Sequence, residues 1–173
     1  MQTLPGPPSI AQALANKCFR HVGKDSNGDD NMFTVCGFLN VKQGVMNKGL
    51  TCVGLRPAHD CARIRAHSLT PHPLRSFNVG QFSKWLMAPG EDGQGSGKFA
   101  AQLYDRGDPC GSVDRITTVV FLCDRNLTEP KLRSAAEVEV CSYEVHLALP
   151  EWCEAEEKGE AGKYVFSPRK PKT

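Results

Sequence analysis

Eight cysteines in 173 residues constrain this chain more than any other feature of its sequence. None sits in a Cys-X-X-Cys pair, so the spacing of a structural zinc site is missing. An even and high count of this kind implies a disulfide framework formed in an oxidising compartment, such as the lumen of the endoplasmic reticulum or beyond. The triplet Asn126-Leu127-Thr128 is a glycosylation sequon and agrees with that setting. The first residues, MQTLPGPPS, lack the charged and apolar regions of a secretion signal, so the expectation is a piece excised from a longer secretory protein.

Composition narrows the class. A length of 173 residues suits one domain with a real core, yet 16 Gly and 12 Pro imply that much of the chain is turn and loop. A net charge of +2 gives no basis for binding nucleic acid or an anionic membrane surface. No apolar run approaches the roughly 18 residues that a membrane-spanning helix needs.

The chain divides into an N-terminal extension over 1–17, a domain over 18–153 with an insertion at 44–76, and a charged tail over 154–173 expected to lack structure. Residues 1–9 are Pro-rich, and Ser9 is placed to cap a short helix over 10–16. Cys18–Val22 and Met32–Cys36 read as strands around Asn27-Gly28, a hairpin turn signal. Asp25, Asn27 and Asp29 alternate as EF-hand ligands do, but Asp30 and Cys36 stand where that loop needs Gly and Glu, so no calcium site is expected. The insertion holds Cys52, Cys61, His59, His67 and His72; a local Cys52–Cys61 bridge is the expectation, with a zinc site the alternative. Strand-like patterns resume over 77–87 and 98–104, on either side of PGEDGQGSG. Strands spaced by turns in this way predict an all-β fold, a flattened barrel or two-sheet sandwich.

Cys110, Cys123, Cys141 and Cys153 frame two half-polar segments, each read as a strand: SVDRITTVVFLC (112–123) and AEVEVCSYEVHLALPEWC (136–153). Alternation puts Arg115, Thr117, Val119, Phe121 and Cys123 on one face of the first, and Glu137, Glu139, Cys141 and Tyr143 on one face of the second. Arg donates in a planar fork, an ionised Glu accepts through two oxygens and Tyr does both, so the set suits a neutral ligand rich in hydroxyls. The alternative is a half-buried Arg–Glu pair that only staples two strands. No nucleophile–base pair or paired carboxylates stand at motif spacing, and His146 has no recognisable partner, so catalysis is not expected.

The ordered set CGFLNVKQ (36–43), VGQFSKW (79–85), KFAAQLYDRGDPC (98–110), DRITTVVFLC (114–123), AEVEVCSY (136–143) and LPEWC (149–153) resembles the mannose 6-phosphate receptor homology (MRH) domain, a disulfide-stapled β-barrel lectin. Order and spacing resemble the version in the β subunit of endoplasmic reticulum glucosidase II most closely, and are also similar to that in the γ subunit of the lysosomal-enzyme phosphotransferase. The resemblance implies mannose contacts from Gln43 and Arg115 to the 2-hydroxyl, and from Glu137 and Tyr143 to the 3- and 4-hydroxyls. It sets Glu139 aside, because its spacing to Cys141 is wrong. It implies the bridges Cys18–Cys36, Cys110–Cys141 and Cys123–Cys153, and leaves Cys52 and Cys61 as a departure. Trp85 matches a family tryptophan and is expected to offer an aromatic face to the sugar, with a core position the alternative; Phe82 stands where the glucosidase version has tryptophan and is read as core. The implied partners are high-mannose N-glycans and, through a parent protein, the catalytic α subunit of glucosidase II, in the endoplasmic reticulum lumen. No cofactor is implied.

Overall fold

A computed structural model describes residues 6–15, 17–24, 26–28, 30–45, 76–91 and 95–169. Eight strands form one ring-like sheet in the order β1-β2-β3-β4-β5-β8-β10-β9. They are β1 Cys18–Lys24, β2 Asp30–Cys36, β3 Asn40–Val45, β4 Ser76–Pro89, β5 Gly95–Asp105, β8 Ile116–Cys123, β9 Lys131–Glu139 and β10 Ser142–Leu149. The two-residue strands β6 Pro109–Cys110 and β7 Val113–Asp114 pair beside the ring. Neighbours run antiparallel except β8 with β10 and the closing β1–β9 contact, which meets at Lys24–Ala136. Gly23 makes that closure possible, since a Cβ there would lie 1.8 Å from the Ala135 carbonyl oxygen.

The registers give the ring two distinct poles. At one, β2 ends, β10 ends and the helices α1 Pro8–Leu14 and α2 Pro150–Glu157 attach. Ile10, Leu14 and Trp152, fully buried, plug this helix pole. Gly37 lets α1 seat closely, because a Cβ there would come within 2.4 Å of the Leu14 carbonyl oxygen. At the other pole, β1 and β3 end while β4, β8 and β10 begin. Inside the ring, inward positions of successive strands supply Phe33, Val35, Val41, Val79, Val119, Val145 and Leu147, all buried.

Among the described residues three bridges staple the ring, and they are the pairs the resemblance implies. Cys18–Cys36 joins paired residues of β1 and β2 across 4.1 Å between Cα atoms. Cys123–Cys153 ties the end of β8 to α2, and Cys110–Cys141 ties β6 to the turn between β9 and β10. Cys52, Cys61, His59, His67 and His72 lie outside the described residues.

Three expectations need correction. The segment over 136–153 is a hairpin and a helix: Val140 and Cys141 form a tight turn, with Cys141 at φ 65°, so β9 and β10 lie antiparallel side by side. The N-terminal helix begins at Pro8, with no side-chain cap from Ser9, and its apolar face is part of the core. The tail expected to lack structure is α2 through Glu157 and then a packed strap to Arg169. Charge dominates its composition, but Ala155 and Ala161 face inward, the former beside Trp152 of the same helix. The strap bonds to β5 through Phe99 N–H to the Glu160 carbonyl and Gly162 N–H to the Phe99 carbonyl, each 2.8 Å.

Candidate functional site

Gln43, Arg115, Glu137 and Tyr143 all lie at the pole opposite the helices. Gln43 is two residues from the end of β3, Arg115 immediately precedes β8, Glu137 is two residues from the end of β9 and Tyr143 is the second residue of β10. Their strand parity is that of the buried Val41, Thr117, Ala135 and Val145, so all four belong to the inward face.

A chain of contacts links them. Gln43 pairs in register with Phe33 on β2 and with Phe77 on β4. The Arg115 guanidinium carbon sits 4.3 Å above the centre of the Phe77 ring, a cation–π contact. The Phe33 and Tyr143 rings meet at 5.9 Å, and Tyr143 pairs directly with Glu137. Glu137 Oε1 accepts the Cys141 N–H at 2.7 Å and its Oε2 accepts the Ser26 N–H at 3.0 Å. Arg115 Nη1 donates to the Pro109 carbonyl at 3.0 Å, next to Cys110, whose bridge runs to Cys141. The bridge therefore couples the arginine's anchor to the carboxylate's anchor.

The backbone of Arg115 is equally fixed. Its N–H donates to the Asp108 carbonyl at 3.1 Å, and its own carbonyl accepts the Gly107 N–H at 3.0 Å. Asp108 is in turn held to β4, giving its N–H to the Asn78 carbonyl at 2.7 Å and accepting the Asn78 N–H at Oδ2 at 2.9 Å. With that much positioning, Arg115 Nε still has no hydrogen-bond partner among the described residues although it is buried. A buried guanidinium N–H left over is costly, and an incoming oxygen acceptor would satisfy it.

Burial divides the four. Arg115 and Glu137 are half-buried, whereas Gln43 and Tyr143 keep 5% and 3% of their surface. Two clefts of 330 and 450 Å³ lie along the strap, and neither is lined by Gln43, Arg115 or Glu137.

Trp85 is not with this group. It is buried in the core near the helix pole, its ring 6.4 Å from that of Trp152 and nearly parallel to it, and 5.5 Å from that of Phe121. The expected sugar-facing role is corrected: late in β4 the inward direction leads to α2, and the stack with Trp152 fixes the ring there. Phe82 packs edge-on to Phe38 and Tyr104, in agreement with its core reading. Glu139 is engaged by the strap, accepting the Arg169 N–H at 3.2 Å.

Sequence reasoning missed Phe77, Asp108 and Ser26. Asp108, in a Gly-Asp-Pro turn, carried a usable signal, because Asp in turns bonds to nearby backbone. Phe77 and Ser26 act through register and ring closure, which local pattern does not encode.

Among the described residues, a ring of eight strands, plugged at one pole by two helices and stapled by three disulfides, defines a small β domain with a polar cluster at its other end. More particularly, its fold is that of the MRH domain. The chain is similar to the MRH domain of Yos9 complexed with α3,α6-Man5, with a TM-score of 0.52 and 15% identity, over 86% of this chain and 83% of that one. It is also similar to the MRH domain of glucosidase II β bound to mannose, with a TM-score of 0.43 and 15% identity, over 82% of this chain and 98% of that one. No family model matches the chain, and no curated protein matches it.

Proposed function

We propose that this chain is a non-catalytic lectin domain that binds terminal mannose of high-mannose N-glycans through Gln43, Arg115, Glu137 and Tyr143. The observation that carries this reading is the gathering of the four at one pole, with Arg115 and Glu137 pinned from opposite ends of the Cys110–Cys141 bridge and Arg115 Nε left without an acceptor among the described residues. Vicinal hydroxyls each donate and accept, so one hexose offers oxygens to the guanidinium and protons to the carboxylate while the carboxamide and phenol serve both ways. Charged partners make such bonds the strong ones in an otherwise neutral contact. A single mannose on a site of this size binds on the order of mM, about −4 kcal/mol, so useful selectivity comes from tethering to a larger assembly.

The motif order supports a finer reading: the glycan-reading module of a glucosidase II β subunit, in the endoplasmic reticulum lumen, presenting glycoproteins to a catalytic α subunit. The test is a glycan array with high-mannose oligosaccharides, followed by competition with free mannose. Mannose-inhibitable binding that Arg115→Lys removes, in a protein with an unchanged circular dichroism spectrum, supports the reading. Binding indifferent to Arg115→Lys sinks it.

The burial of Gln43 and Tyr143 favours one alternative, an accessory domain that keeps the fold without sugar recognition. Absence of binding to any mannose-terminated glycan would select it.

A further inference from the structure

We propose that Asn126 carries an N-linked glycan, held at the helix pole and clear of the mannose site. Asn126-Leu127-Thr128 is the only Asn-X-Ser/Thr triplet in the chain, with Leu in the middle position where Pro would block transfer. It falls in the connection between β8 and β9, where both Asn126 and Thr128 are exposed. The local backbone forms a turn: Leu127 N–H reaches the Asp124 carbonyl at 3.5 Å, and Asn126 N–H donates to Asp124 Oδ1 at 3.0 Å. The neighbouring side chains are engaged elsewhere, Asp124 with Arg133 of β9 and Arg125 with Glu157 of α2. The turn is thus braced on both sides, while the exposed Asn126 carboxamide takes no part in these bonds.

The position follows from the topology. The turn comes after Cys123, at the end of β8, whereas Arg115 stands just before the start of that strand. Seven steps of strand separate them by roughly 23 Å. A bulky glycan on Asn126 therefore projects from the plugged end and leaves Gln43, Arg115, Glu137 and Tyr143 uncovered. In the transfer, the Asn126 carboxamide nitrogen attacks the anomeric carbon of a lipid-linked oligosaccharide; a C–N bond forms as the C–O bond breaks, the lipid diphosphate leaves and the nitrogen gives up one proton. The inference rests on the secretory setting implied by the three bridges, and is independent of whether the site binds sugar.

The experiment is to secrete the full chain from eukaryotic cells and compare its intact mass before and after peptide N-glycosidase treatment, with mannose binding measured on the same samples. One glycan should be lost, mapped to Asn126, and both Asn126→Gln and Thr128→Ala should lack it from the start. Asn126→Gln should bind mannose as the parent does. A secreted, fully disulfide-bonded chain with the mass of polypeptide alone overturns the modification, whatever its sugar binding. A glycosylated chain whose mannose affinity changes severalfold on Asn126→Gln overturns the stated separation from the site. A glycosylated chain that binds no mannose leaves this inference standing and removes the lectin reading.

Discussion

The main-chain N–H of Cys141 donates to Glu137 Oε1 across 2.7 Å, within the same tight hairpin. A bridging cysteine thus orients the acid expected to contact the ligand, and the same residue turns the chain from β9 into β10 with a φ of 65°. The second oxygen is fixed by Ser26 N–H from the first hairpin. A carboxylate clamped by two backbone donors keeps lone pairs for hydroxyl groups and loses little further entropy when it uses them.

Replacing that carboxylate by an amide isolates its charge. Glu137→Gln is expected to lower mannose affinity at least tenfold, since bonds to a charged group contribute about 1.5–3 kcal/mol. Isothermal titration with a mannose disaccharide gives the number. An affinity within twofold of the parent would remove Glu137 from the contact set.

The two bridges at opposite poles separate stability from binding. Removing either Cys18–Cys36 or Cys110–Cys141 by paired Cys→Ser changes should cost about 3–4 kcal/mol on the chain-entropy account, for spans of 18 and 31 residues. Only the second should also weaken mannose binding in the fraction that remains folded, because it alone joins Pro109 to Cys141. Urea titration and glycan binding on the same samples would reveal equal losses of binding if that coupling were absent.

Trp85 should behave as a core residue. Trp85→Ala is expected to cost about 3–5 kcal/mol in chemical denaturation, the range for emptying a large aromatic site. Trp85→Phe should keep sugar affinity unchanged, whereas a stacking platform would lose it.

Burial pushes the Tyr104 phenol above its ordinary value of 10.0, partly countered by its bond from the Phe38 N–H. The folded state therefore holds this proton more firmly than the unfolded chain does. The stabilisation is fully present below pH 10 and is lost as pH climbs through the higher folded value. Tyr104→Phe should flatten the alkaline decline in stability. At neutral pH the same change should cost about 1–3 kcal/mol by stranding the Phe38 N–H and Gln102 Oε1. Denaturation midpoints at pH 7 and at a pH above 10 for both proteins check the sign.

The strap should matter to the site as well as to the core. Arg169 Nη2 donates to the carbonyl of Asp114, which directly precedes Arg115, at 2.7 Å, and its N–H to Glu139, two residues beyond Glu137 on β9. Truncation after Gly162 is expected to weaken mannose binding severalfold, and unaltered binding would show that the pole holds its shape unaided.

What could be read from residues alone was the alternating strands and their turn at Asn27-Gly28. β3 escaped because Gln43 occupies an inward position, which puts a polar residue where the apolar period expects an aliphatic one. The hairpin at Val140-Cys141 escaped because alternation runs straight through it and no Gly, Asn or Pro marks the turn. Glu137 and Tyr143 share the inward face as expected, but as cross-strand partners. The three bridges were legible through family likeness, and Trp85 stayed between a sugar-facing and a core position because a single sequence cannot tell which pole a position on β4 approaches.

Ser26 and Glu137 lie 111 residues apart in sequence, yet the acid's second oxygen depends on that contact across the β1–β9 seam. Neither the first hairpin nor the last can shape the carboxylate alone, so no proteolytic fragment lacking one of them should retain sugar recognition. The geometry of that carboxylate is thereby a readout of complete ring closure, set only once both ends of the chain have met.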